Sequence, residues 1–281
     1  MRPITPGHRG LGLRPEFVDT LLETPAVDGV DFLEIAPENW MHVGGRKRDQ
    51  LDRIAGRYPL VAHGLSLSIG DTQPLNTPFV REVRRFLDDY HIDIYSDHLS
   101  ASRDGTGYLY DLLPIPRRAE NLDYLAGRIR QVQDITGRQL VLENISAYHG
   151  YPGEMPEGAF LAELAGRCGC GILLDINNAY VNARNRGTDV RAFLAELPTQ
   201  ALVYYHIAGH LELGDGMLLD THGTPVADAV MRLAREVWAT HGPRPLLLER
   251  DNFVPALDVL LGDLDAVAAV LREGEDRHVH A

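Results

Sequence analysis

Short apolar runs alternate with amphipathic stretches eight times along this chain, and that rhythm restricts its possible folds more than any other feature. The runs fall at residues 10–14, 32–36, 60–64, 94–98, 140–144, 172–177, 203–207 and 246–250. Most are apolar almost throughout, as strands buried on both faces of a parallel sheet are. Helix-like segments lie between them. Residues 15–23 open on Pro15, whose missing N–H is harmless in a first turn. Residues 117–136 carry Leu122, Leu125, Ile129 and Val132 at helical spacing and stop at Gly137. Residues 225–241 and 256–273 read the same way. Eight strand–helix repeats without a linker-like shift in composition predict an α/β fold, a single (β/α)8 TIM barrel. One domain is expected over residues 1–281, with the barrel at about 10–272 and a polar, frayed tail at 273–281. A doubly wound open sheet would expect a glycine-rich phosphate loop after an early strand. Gly10-Leu11-Gly12 lacks the third glycine, and Gly44-Gly45 follows no fitting strand.

Ionisable residues collect where these runs end. Strand three ends Val61-Ala62-His63-Gly64, strand four Ser96-Asp97-His98 and strand five Leu142-Glu143-Asn144. Strand six ends Leu174-Asp175-Ile176-Asn177-Asn178, strand seven Tyr205-His206 and strand eight Leu248-Glu249-Arg250. Six consecutive strands thus present a histidine or carboxylate at one level, which in a barrel is the C-terminal mouth where active sites are built. So many buried charges are tolerated only when paired or bound to cations. Imidazoles and carboxylates together are ligands for first-row transition metals, and three of each exceed what one ion with an open position can hold. Two or more metals are expected, with Glu143 able to bridge a pair. Asp220-Thr221-His222 puts two more ligand types on one side of an extended segment, and His210 follows His206 by four residues. These are candidates for a third metal.

Other residues carry weaker signals. Glu38 and Asn39 suit either ligand orientation and substrate contact or a plain loop, and His42 follows them. Arg250 and Asp251 are expected to brace Glu249. Tyr108, Tyr110 and Asp111, in the loop after strand four, are expected to cover the mouth. His8, His91, His149 and His241 read as surface residues, and His278 and His280 as solvated.

Composition narrows the function. Lys and Arg total 27 against 40 Asp and Glu, a formal charge of −13, which argues against nucleic-acid binding through a broad basic surface. Cys168 and Cys170, the only cysteines, are too close together for a Cys-x-x-Cys site, so packing is expected of them, and no disulfide framework is available. That suits a reducing cytoplasm. The N-terminal segment has no apolar stretch of signal-peptide type, and no apolar run is long enough for a membrane span.

Nine ordered motifs from Gly10 to Leu261 resemble one family. They are Gly10-Leu11-Gly12-Leu13-Arg14, Glu34-Ile35-Ala36-Pro37-Glu38-Asn39-Trp40-Met41, His63-Gly64-Leu65-Ser66-Leu67-Ser68, Ser96-Asp97-His98-Leu99-Ser100, Leu142-Glu143-Asn144, Leu174-Asp175-Ile176-Asn177-Asn178, His206-Ile207-Ala208-Gly209-His210, Asp220-Thr221-His222-Gly223 and Glu249-Arg250-Asp251. Together they are similar to those of the multinuclear non-haem iron-dependent oxidative enzymes, a branch of the xylose-isomerase-like barrels whose three-metal relatives include endonuclease IV. The resemblance implies two to three irons of mixed Fe(II)/Fe(III) state. His63, His98 and Glu143 would hold one. Glu143 would bridge to a second held by Asp175, His206 and Glu249. Asn178, Asp220 and His222 would hold a third, with His210 nearby. The endonuclease-like pattern has histidine where this chain has Asn178, a weaker ligand. Glu143, His206 and Glu249 are the expected catalytic residues.

The resemblance also implies the reaction. The family oxidises ribosomally made precursor peptides, commonly at cysteine, with dioxygen as co-substrate and a partner protein that binds the peptide leader. A separate partner is expected here, since the chain stops soon after the eighth helix. Two readings from other classes stand beside this one: a zinc phosphodiesterase of the endonuclease IV type, and a non-catalytic metal-storage or copper-responsive protein.

Overall fold

A computed structural model describes residues 3–24 and 27–278, apart from the side chains of Tyr110 and of residues 273–278. Eight parallel strands close into a barrel in chain order: β1 (Arg9–Gly12), β2 (Phe32–Ile35), β3 (Leu60–Gly64), β4 (Tyr95–His98), β5 (Leu140–Glu143), β6 (Gly171–Asp175), β7 (Leu202–Ile207) and β8 (Leu246–Leu248). The helices between and after them are α1 (Pro15–Glu23), α2 (Gly45–Ala55), α3 (Thr77–Asp89), α4 (Ala119–Thr136), α5 (Glu157–Cys168), α6 (Ile176–Arg186), α7 (Val190–Glu196), α8 (Asp228–His241) and α9 (Leu257–His278). Two antiparallel hairpins, Ser100–Arg103 with Tyr108–Pro114 and Leu211–Glu212 with Leu218–Leu219, follow β4 and β7. Among the described residues no helix is long and apolar enough to cross a membrane.

The two-residue period of a strand builds the barrel in layers. Side chains facing outward, such as Leu11, Leu33, Leu142, Leu174, Tyr205 and Leu248, join the helices in one large core. Those facing inward form a separate buried cluster of Phe32, Val61, Val141, Leu173, Tyr204 and Leu247, each from a different strand. This cluster is the floor of the barrel. Gly10 leaves room for the Phe32 ring, whose edge lies 2.5 Å from where a Cβ would stand. Two residues further along the same strands, the next inward layer reads Glu34, His63, Glu143, Asp175, His206 and Glu249.

Local chemistry moves several boundaries from their expected places. The sixth run ends at Asp175 instead of residue 177, because the Asp175 carboxylate caps α6 by accepting from Asn178 N at 2.7 Å. Helix α8 begins at Asp228, beyond Pro225, and α9 continues past residue 273 to His278. His241, expected at the surface, is buried in the last turn of α8 and bonded to Thr199 Oγ1 at 2.8 Å. Cys168 and Cys170 are both buried beside the start of β6, at the end of the barrel opposite the ionisable layer.

Candidate metal centre

Strand register brings the ionisable layer together: His98 lies beside Glu143, and Asp175 beside His206. His63 Nε2, His98 Nε2 and Glu143 Oε2 form a near-equilateral triangle, with separations of 3.2, 3.1 and 3.3 Å. Donor atoms sharing one ion at bonds of about 2.1 Å stand roughly 3.0–3.4 Å apart, so this triangle fits a transition metal. Beside it, Glu143, Asp175 and His206 offer atoms within 4.8 Å of one another, as do Asp175, His222 and Glu249. His206 Nδ1 approaches Glu249 Oε2 at 3.0 Å.

The atoms aimed inward lack other employment. Glu143 Oε2, Asp175 Oδ2, Asn178 Oδ1, His206 Nδ1 and His222 Nε2 are buried and make no well-aligned hydrogen bond among the described residues, although several approach one another or a neighbouring carboxylate closely. Buried polar atoms in such number are otherwise nearly always satisfied. The donor set therefore fits cations of the imidazole- and carboxylate-binding kind.

Charge balance points the same way. Burial pushes the Asp175 carboxyl up to about 8, with Glu143 and Asp220 adding to the shift. Burial acts to lower the His98 pKa, but Glu143 and Asp97 outweigh it and raise it to about 9. His206 is opposed by burial in the same way and lifted well above the imidazole range by Glu34 and Glu249. Without a metal, protons occupy the centre. A divalent ion would replace them.

The residues expected around a third metal are divided. Asp220 Oδ1 meets His222 Nε2 at 2.7 Å, and His222 Nδ1 lies 3.4 Å from Glu249 Oε2. The segment is not extended, since His222 adopts a left-handed backbone with φ 46°, which turns its ring onto Asp220. Asn178 reaches the other way, donating from Nδ2 to Glu143 Oε1 at 3.2 Å. His210 lies outside every such group. Its Nδ1 donates to Asn177 Oδ1 at 2.8 Å, and Asn177 Nδ2 donates to Asp220 Oδ1 at 2.7 Å. His210 thus stands behind Asp220, one residue removed.

Four participants went unassigned in the sequence reading. Arg14 pairs with Asp251 and sits 3.6 Å from Glu249, so it takes the bracing place expected of Arg250, whose guanidinium instead pairs with Asp263. Glu34 accepts from His206 Nε2 at 3.0 Å and from Tyr204 Oη at 2.8 Å, and Ser96 bonds His63 Nδ1 at 2.7 Å. The signal for Glu34 was present: Phe32-Leu33-Glu34 repeats the apolar–apolar–carboxylate ending of Val141-Leu142-Glu143. Although Glu34 and Glu249 both approach His206, they meet opposite ring nitrogens, so one ion on that ring cannot take both.

Above this layer opens a cavity of about 1200 Å³, lined by His63, His98, Glu143, His222 and Glu249 below and by Trp40, Lys47, Leu113 and Tyr148 toward the rim. That is slightly above the roughly 300–1000 Å³ of small-molecule pockets. Asp111 lines it as expected, whereas the Tyr108 side chain is exposed and the Tyr110 side chain lies outside the described residues. Glu38, weighed earlier as an orienting residue, accepts from Leu65 N at 2.8 Å and holds the loop after His63.

Fold and site together define a xylose-isomerase-like (β/α)8 barrel with a histidine–carboxylate centre at its C-terminal mouth. The chain belongs to the MbnB/TglH/ChrH family of modification enzymes for the precursors of ribosomally synthesised, post-translationally modified peptides, which it matches over residues 8–272. It is 44% identical to a UPF0276 protein of Acinetobacter baylyi over 94% of this chain and 91% of that one. A UPF0276 protein of Pseudomonas aeruginosa is 42% identical over 97% and 95% of the two chains. Among solved structures, D-psicose 3-epimerase of Clostridium cellulolyticum aligns over 96% of each chain with a TM-score of 0.60 and 11% identity. Endonuclease IV of Thermus thermophilus aligns over 95% of this chain and 99% of that one, with a TM-score of 0.59 and 14% identity. These likenesses establish the barrel fold.

Proposed function

We propose that this protein oxidises cysteine residues of a ribosomally synthesised precursor peptide, with iron held at the barrel mouth and dioxygen as co-substrate. The observation that carries the reading is the set of buried imidazole and carboxylate atoms converging under an open cavity of about 1200 Å³. In this reading His63, His98 and Glu143 would hold one iron, and Asp175, His206 and Glu249, next to Glu143, a second. Asp220 and His222 hold a third with Asn178, and His210 steadies Asp220 through Asn177. Bound iron supplies dioxygen activation and one-electron redox chemistry. The chain itself positions and shields. Arg14 offsets the charge of Glu249 and Asp251, Trp40 and Leu113 wall the cavity, and the substrate thiolate enters from the rim. Cys168 and Cys170, buried at the other end, cannot compete with it. A leader-binding partner protein and a cytoplasmic setting belong to the same proposal.

Elemental analysis after iron-supplemented anaerobic expression tests it. Two to three irons per chain are expected from the donor count. Zinc in their place favours a hydrolase, copper without turnover a binding protein, and less than one transition metal per chain contradicts the cluster.

A further inference from the structure

Beneath the centre, four hydrogen bonds join two imidazoles through the barrel's interior. His63 Nδ1 meets Ser96 Oγ at 2.7 Å, Ser96 Oγ meets Tyr204 Oη at 2.6 Å, Tyr204 Oη meets Glu34 Oε2 at 2.8 Å, and the same oxygen meets His206 Nε2 at 3.0 Å. All five residues are at most 6% exposed, so water does not compete for these bonds.

Hydrogen counting gives the chain one direction. A carboxylate only accepts, so Tyr204 and His206 each donate to Glu34. Tyr204 has then spent its single proton and must accept from Ser96. The other acceptor within reach of Ser96, the Ala62 carbonyl, is at 3.4 Å and too distant to divert that proton. Ser96 in turn must accept from His63 Nδ1–H. When both imidazoles are neutral, as metal binding requires, the nitrogens without a proton are therefore His63 Nε2 and His206 Nδ1, the two that face the carboxylates of the centre.

We infer that Glu34, acting through Tyr204 and Ser96, fixes the tautomers of His63 and His206 together, so that one carboxylate prepares ligands at two separate metal positions. Tyr204, Ser96 and Glu34 are positioning residues in this scheme. The inference rests on the reading that His63 and His206 hold metal, and it explains why a tyrosine hydroxyl stands in the otherwise apolar floor. Outer hydrogen bonds of this kind typically carry about ten- to a hundredfold in metal affinity.

The test uses the full chain labelled with ¹⁵N at histidine, both metal-free and loaded with Zn²⁺, which is diamagnetic. Long-range ¹H–¹⁵N correlation reports which ring nitrogen bears the proton. In the wild type His63 is expected as Nδ1–H and His206 as Nε2–H. Tyr204→Phe, which removes one oxygen and keeps the ring, should leave His206 unchanged. It should mix the His63 tautomers in the metal-free protein and weaken Zn²⁺ binding about tenfold. Ser96→Ala should do the same, and the double variant should be no worse than either single, because both cut one chain. Wild-type tautomers and affinity in Tyr204→Phe, or additive losses in the double variant, would overturn the inference while leaving the metal reading intact. Failure of the wild type to bind Zn²⁺ would overturn both.

Discussion

Glu143 stands between two parts of the centre: one oxygen faces both His63 and His98, and the other accepts from Asn178. His222, by contrast, serves one edge of the cluster. Glu143→Gln should therefore strip iron from two positions, whereas His222→Ala should lose at most one. Iron analysis of both variants, with circular dichroism to confirm folding, checks this. Full iron in Glu143→Gln beside heavy loss in His222→Ala would reverse the assignment. At this scale the sequence was informative wherever a ligand type ended an apolar run, which is how His63, His98, Glu143, Asp175, His206 and Glu249 stood out. It was silent on Tyr204 and Ser96, since a tyrosine or serine in a strand looks the same whether it packs or relays a hydrogen bond. The left-handed turn at His222 was hidden too, because no glycine or asparagine marks it.

At the scale of elements, the layering of the barrel explains why the ionisable residues share a level. Each inward apolar residue of the floor is followed two positions later by a polar one, and β-strand alternation does the rest. Gly10 and Phe32 fit closely in that floor, the ring edge lying 2.5 Å from where a Gly10 Cβ would stand. Gly10→Ala should cost about 1–3 kcal/mol by overpacking, and Phe32→Ala about 3–5 kcal/mol by leaving a cavity. Phe32→Leu should recover part of the Gly10→Ala loss, since the clash is with the ring. Thermal unfolding of the three single variants and the Gly10→Ala/Phe32→Leu pair measures this, and strict additivity would argue against the contact. The strands were legible because both faces are buried and the runs are apolar, whereas boundaries shifted where side chains cap helices, as Asp175 does for α6. His241 was misplaced because one histidine in an amphipathic helix does not disclose that Thr199 will reach it.

For the molecule as a whole, the buried centre links stability to pH. Asp175 moves from an ordinary 3.8 to about 8 on folding, so its contribution is lost as pH rises toward 8. His98 moves from 6.5 to about 9, so its contribution is complete below 6.5 and lost as pH rises through 9. Both signs agree. Metal-free protein should lose thermal stability between pH 6.5 and 9, while metal-loaded protein, in which the cation has displaced these protons, should hold nearly constant. A melting temperature of the metal-free form that rises across that window would contradict the site's charge balance. The family's chemistry can be tested as directly. The protein is co-expressed with a cysteine-containing precursor peptide and its leader-binding partner, with and without oxygen, and the intact mass of the peptide is measured. The account predicts a mass change that needs oxygen and disappears when the cysteine is replaced by serine. A change that persists without oxygen, or equally in the serine peptide, would contradict it.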